Sequence, residues 1–117
     1  MLHHVGIEVA PADIEEMVGF FGLLGFEQVE PPEALSRFTW VEREGTQIHL
    51  MPREQAIVPT VGHVAVVTPD FEEALERLQR AGFTAERRGE HWGQPRAWAT
   101  APGGHQVELM AAPPGTS

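Results

Sequence analysis

The segment Gly45-Thr46-Gln47-Ile48-His49-Leu50-Met51 returns 59 positions later as Gly104-His105-Gln106-Val107-Glu108-Leu109-Met110. At the same offset, Gly62-His63-Val64-Ala65-Val66 falls on His3-His4-Val5-Gly6-Ile7. His4 to His49 and His63 to Glu108 are therefore both separated by 45 positions. Between these ends the offset drifts slightly, with Gly25-Phe26 answering Gly82-Phe83 and Trp40 answering Trp98, as small differences in loop length produce. A chain of 117 residues that repeats with this period builds one supersecondary unit twice.

Within each unit the hydrophobic period changes in the same order. Residues 3–9 and 61–68 alternate with period two and are expected as strands. Pro11-Ala12-Asp13 and Pro69-Asp70 then open helices, because proline tolerates the first turn and aspartate can cap or complement its free N–H groups. Apolar residues follow at helical spacing: Ile14, Met17, Val18, Phe21 and Leu24 in one unit, and Phe71, Ala74, Leu75 and Leu78 in the other. Gly25 and Gly82 stand where a helix should end. Three more strands per unit are expected near 26–30, 37–43 and 46–51, then near 83–87, 96–100 and 105–110, with a turn at Pro102-Gly103-Gly104. This layout is one α+β domain, with module 1 at about 1–52, a linker at about 53–60, module 2 at about 61–111 and a flexible tail at 112–117. Segments 31–36 and 88–95 are long enough to move and to cover a site.

Strand side chains point alternately to opposite faces, so register assigns each polar residue a side. Val5, Ile7 and Val9 are expected against the first helix, which leaves His4, Gly6 and Glu8 on the other face; Val64 and Val66 likewise leave His63 opposite. With Ile48, Leu50, Val107 and Leu109 turned inward, His49 and Glu108 share the face of His4 and His63. If the two units pair about an approximate twofold axis, His4, His49, His63 and Glu108 line one trough as three imidazoles and a carboxylate. Those donors suit one divalent transition metal, Ni, Mn, Fe, Co or Zn, better than Mg or Ca, which prefer oxygen shells. By the same parity His3 and His105 point to the helix side, and His91 falls in a loop, so none of the three is counted as a ligand.

Composition removes several other chemistries. There is no Cys, Lys, Tyr or Asn, and Ser occurs only at Ser36 and Ser117. Thiol, Schiff-base and tyrosine-acid mechanisms are thereby excluded, and a serine nucleophile is disfavoured. A formal net charge of −9 opposes the phosphate neutralisation that nucleic-acid binding needs, so no such partner is expected. Met1 leads directly into the alternating His3 to Val9 segment without a charged leader or apolar core, and no run is long enough to span a bilayer. The expectation is a cytoplasmic protein with no membrane partner, which the lack of cysteine matches.

From Leu2-His3-His4-Val5-Gly6-Ile7 to Ala101-Pro102-Gly103-Gly104-His105-Gln106-Val107-Glu108-Leu109, almost its whole length, the chain resembles the vicinal oxygen chelate superfamily. That group includes glyoxalase I, bleomycin- and fosfomycin-resistance proteins, extradiol dioxygenases and methylmalonyl-CoA epimerase. The resemblance implies paired βαβββ modules forming a curved mixed sheet around a central trough, where a substrate chelates a metal through neighbouring oxygens. It also implies a homodimer. Family ligands lie on the first and last strands of each module, the places of His4, His49, His63 and Glu108. Glyoxalase I-like members carry a carboxylate where this chain has His49, and epimerase-like members an amide, so neither activity transfers directly. The His, His, Glu set of members resembling fosfomycin-resistance proteins or extradiol dioxygenases would be met by His4, His63 and Glu108, leaving His49 as a fourth ligand or a base behind them.

A metal that grips a substrate oxygen stabilises an enolate or alkoxide, and a base must then stand nearby. Glu8 is expected to be that base because its parity matches His4, with Glu108 as the alternative if it leaves the metal. Arg96 and Trp98, aligned with Phe38 and Trp40, are expected substrate contacts: the guanidinium for a carboxylate or phosphate, the rings as apolar walls. The function expected from these readings is a metal-dependent, glyoxalase-like lyase or isomerase acting on a small oxygen-chelating metabolite. A non-catalytic binding or resistance protein of the bleomycin-resistance type is the first alternative, and an Fe(II) extradiol-type dioxygenase the second.

Overall fold

Both copies of the repeat fold in the order β-α-β-β-β in a computed structural model, which describes residues 1–115. The first copy comprises β1 (His4–Val9), α1 (Ile14–Gly22), β2 (Glu27–Val29), β3 (Thr39–Arg43) and β4 (Thr46–Pro52). The second comprises β5 (Val64–Val67), α2 (Phe71–Arg80), β6 (Ala85–Arg88), β7 (Arg96–Thr100) and β8 (Gln106–Met110). Each forms its own mixed four-stranded sheet, in the orders β1-β4-β3-β2 and β5-β8-β7-β6. The outer pairs β1/β4 and β5/β8 are parallel, as a strand-helix-strand crossover requires, and the remaining pairs are antiparallel. The chain divides into two compact units between Val58 and Pro59. Of the expected tail, Thr116 and Ser117 lie outside the described residues. Among the described residues no helix is long and apolar enough to cross a membrane.

Alternation sorts the strands as expected. Ile48 and Leu50 are buried in one sheet, as are Val107 and Leu109 in the other, none more than 2% exposed. On α2 the buried residues are Phe71, Ala74, Leu75 and Leu78, the set its spacing predicts. On α1 they are Met17, Phe20 and Phe21, followed by Leu24; Phe20 takes the place expected of Val18, which is only half-buried. Phe20 and Phe21 meet edge to face with centroids 5.2 Å apart.

The helix ends follow two different rules. Neither Asp13 nor Asp70 makes a side-chain cap, contrary to one expectation from the sequence. The first turns instead carry acidic residues that complement the helix dipole, Glu15 and Glu16 on α1 and Glu72 and Glu73 on α2, and α2 also carries Arg77 and Arg80 at its negative end. At the C-termini the expected glycines do close the helices. Gly25 (φ 89°) and Gly82 (φ 95°) adopt the left-handed conformation, which lets Phe26 N–H reach the Phe21 carbonyl and Phe83 N–H reach that of Leu78, both at 3.0 Å.

The β3–β4 hairpin turns on Glu44 (φ 51°) and Gly45 (φ 84°), the two-residue geometry that needs positive φ at both positions. Glutamate tolerates this poorly. The Glu44→Asn variant is expected to be more stable by about 0.5–1 kcal/mol, read as a higher urea midpoint at unchanged slope.

Candidate functional site

In the first unit, strand register brings Gly6, His49 and Trp40 into line across β1, β4 and β3. The His49 ring lies between two others. Trp40 stacks on it with centroids 4.0 Å apart and planes 4° from parallel, and His4 stacks on it at 3.9 Å and 12°. His3 joins the group, with its Nδ1 3.0 Å from His4 Nδ1 and its ring edge-on to His49 at 6.4 Å. Parity had sent His3 to the helix side, but β1 begins only at His4 and alternation holds only within a pleated strand.

Two side chains that sequence reasoning passed over hold His49 from behind. Gln47 donates its amide N–H to Glu42 Oε1 at 2.8 Å, which leaves its oxygen 2.8 Å from His49 Nε2. An amide oxygen only accepts, so Nε2 carries the hydrogen and Nδ1 keeps its lone pair. Burial pushes the His49 pKa below the ordinary histidine value, and the neighbouring His4 and His3 charges push it further the same way. The unfolded chain therefore binds this proton more readily than the folded one. His49 contributes to stability above about pH 6.5, and that contribution is lost as pH falls below it towards the depressed folded-state value. Denaturation midpoints taken from pH 7.5 down to 5 are expected to fall less steeply for His49→Gln than for the parent.

In the second unit, Ala65, Glu108 and Trp98 align across β5, β8 and β7 as Gly6, His49 and Trp40 do in the first. His63 lies one residue before β5, with Trp98 edge-on at 4.5 Å. Its Nδ1 is 2.9 Å from the Val61 carbonyl, so Nδ1–H donates there and Nε2 turns to Glu108 Oε1 at 3.4 Å. Glu108 Oε2 accepts from Arg96 at 3.2 Å. Arg96 also donates to the Gly89 carbonyl at 2.7 Å and lies 2.9 Å from His91 Nε2, so it anchors the 88–95 loop and fixes Glu108. Trp92 of that loop donates to the Ala112 carbonyl.

These pairs differ in how well they fit a metal ion. Imidazole lone pairs lie in the ring plane, so two nearly parallel stacked rings cannot point at one ion: His4 and His49 do not share a metal as they stand. His63 and Glu108 suit one better. A lone pair on Nε2 facing a carboxylate oxygen is satisfied by a cation or proton between them, and the Nδ1–H to carbonyl bond is the usual support for a ligating histidine. Among the described residues no group of three or more His, Asp or Glu side chains forms a ready cage.

Beside the three histidines of the first unit is a cavity of about 280 Å³, walled by Leu35, Phe38, Trp40 and Met51. Leu35 comes from the 31–36 segment, which contains a single 3-10 turn. Glu8 lies outside this cavity, with both carboxylate oxygens 3.3 Å from Arg53 and Oε1 also accepting from Ile57 N–H at 2.9 Å.

The family model for the glyoxalase/bleomycin resistance protein/dioxygenase superfamily matches residues 1–109. Among solved structures, the fold is similar to a protein from Bacillus anthracis described as a glyoxalase family member, at 22% identity and TM-score 0.84 over 94% of this chain and 93% of that one. A superfamily member from Sphaerobacter thermophilus matches at 29% identity and TM-score 0.72, over 94% and 95%. A genomically encoded fosfomycin resistance protein from Listeria monocytogenes matches at 20% identity and TM-score 0.77, over 97% and 93%. No curated protein sequence matches the chain.

Proposed function

Because this chain belongs to the glyoxalase/bleomycin resistance protein/dioxygenase superfamily, we propose that it is a metal-dependent lyase or isomerase acting on a small oxygen-chelating molecule. His63 and Glu108 are the donors to the ion in this reading. The observation that carries it is the approach of His63 Nε2 to Glu108 Oε1 at 3.4 Å, with the opposite imidazole nitrogen tied to the Val61 carbonyl. A divalent ion bound there would supply Lewis acidity toward a substrate oxygen.

The chain's own residues divide the remaining work. Arg96 holds the Glu108 carboxylate in place rather than meeting substrate. His49, its pKa lowered by burial and its Nδ1 uncommitted to Gln47, is the base that the first unit offers, and the Glu42–Gln47 relay fixes its tautomer. Glu8 is the second choice as base, since Arg53 and the Ile57 amide already occupy its oxygens. Phe38 and Trp40 provide the apolar wall.

Metal content tests the proposal. The purified full chain is expected to take up one equivalent of Ni(II), Mn(II), Fe(II), Co(II) or Zn(II), with a higher Tm at saturating ion. No stoichiometric metal and no thermal shift with any of the five would overturn it. A non-catalytic binding protein is the second reading, and the mainly apolar cavity beside the stacked His4 and His49 rings favours it.

A further inference from the structure

The first unit holds a second cavity, also of about 280 Å³, lined by Glu8, Arg37, Phe38, Met51, Pro52 and Arg53. It shares Phe38 and Met51 with the histidine-lined cavity, so the two adjoin along an apolar seam. The Met51 thioether crosses β1 at Gly6 so closely that a Cβ there would come within 2.8 Å of the sulfur. In a chain of net charge −9, this cavity is unusual in presenting two guanidiniums against one carboxylate. Arg53 is answered by Glu8 at 3.3 Å. Arg37 lies over the Phe38 ring at 4.6 Å, and among the described residues no carboxylate pairs with it. Stacking on a ring holds a guanidinium in place without using an acceptor, so its N–H donors and charge remain for a ligand.

We propose that this pair of cavities binds a small molecule with a flat apolar body and an anionic head, the body against Phe38 and Met51 and the head on Arg37. The anion contact thereby moves from Arg96, which Glu108, His91 and the Gly89 carbonyl already engage, to a residue just before β3. The proposal rests on the reading that this face of the first unit receives substrate, and it adds the substrate's chemical class. Carboxylate and phosphonate heads share the needed chemistry, since both accept charge-assisted hydrogen bonds from a guanidinium.

Calorimetric titration of the chelator-treated full chain with phenylacetate, benzylphosphonate and neutral phenylacetamide tests it. At least one anion is expected to bind roughly tenfold or more tightly than the amide, and the tighter of the two identifies the head group. Arg37→Gln is expected to erase that preference, Phe38→Ala to weaken all three probes alike, and Arg80→Gln, an exposed charge change on α2, to alter none. Absence of binding, equal affinity for anions and amide, or an unchanged preference in Arg37→Gln would overturn the proposal. A parallel Ni(II) titration separates this from the metal reading. One equivalent of metal without anion preference defeats the subsite alone, whereas anion preference without metal leaves the subsite and defeats the metal-dependent enzyme.

Discussion

Glu108→Ala is expected to lower metal affinity by about two orders of magnitude or more and also to destabilise the fold, and a second variant separates the two effects. Glu108 is one of only two donors proposed in the second unit, and its removal takes away the ion's charge-neutralising ligand. The same carboxylate answers Arg96, whose side chain is only 11% exposed, so the alanine variant leaves a largely buried guanidinium without its counter-charge, held by the Gly89 carbonyl and His91 alone. Leaving such a group unpaired costs about 1–3 kcal/mol. Glu108→Gln keeps the length and an amide oxygen for Arg96, but it replaces the carboxylate facing His63 with a weak ligand. It should therefore retain nearly the parent's urea midpoint while losing most of its affinity for Ni(II) or Zn(II). Equal metal binding by parent and both variants would remove Glu108 from the site. A loss confined to Glu108→Ala would mean that the carboxylate serves the fold and not the ion.

What could be read from the sequence was what depends on neighbours along the chain. Strand alternation turned Ile48, Leu50, Val107 and Leu109 inward, and the two helix-ending glycines stood where the chain reverses hand. The repeat also put His49 and Glu108 at equivalent register points, each opposite a tryptophan. Residues outside a pleat escaped this reasoning. His3 precedes β1 and Arg37 precedes β3, so the alternation that sent His3 to the helix side does not extend to either. Contacts set by cross-strand register escaped it as well. Glu42 faces Gln47 only because β3 pairs with β4 at that position, and this pairing makes the relay to His49. Arg96 lies opposite Met110 and reaches diagonally to Glu108 on β8, a contact that strand parity alone does not reveal.

Phe20→Ala is expected to cost about 3–5 kcal/mol, a large share of the 5–15 kcal/mol that typically separates folded from unfolded states. Phe20 is fully buried and meets Phe21 edge to face, so truncation loses both the apolar burial of a ring and a specific aromatic contact and leaves a void beside Phe21. Val18 supplies the control. Helical spacing from Ile14 and Phe21 marks it as an inward residue, yet it is half-buried while Phe20 is sealed. A wider apolar stripe explains the exchange: neighbouring helix residues are about 100° apart, so Phe20 and Phe21 flank the buried direction and Val18 falls at its margin. Val18→Ala should then cost only about 0.5–1 kcal/mol, a few degrees of Tm, against about 10–25 °C for Phe20→Ala. Thermal unfolding of the two variants distinguishes these accounts, and equal losses would mean that α1 presents the face centred on Val18.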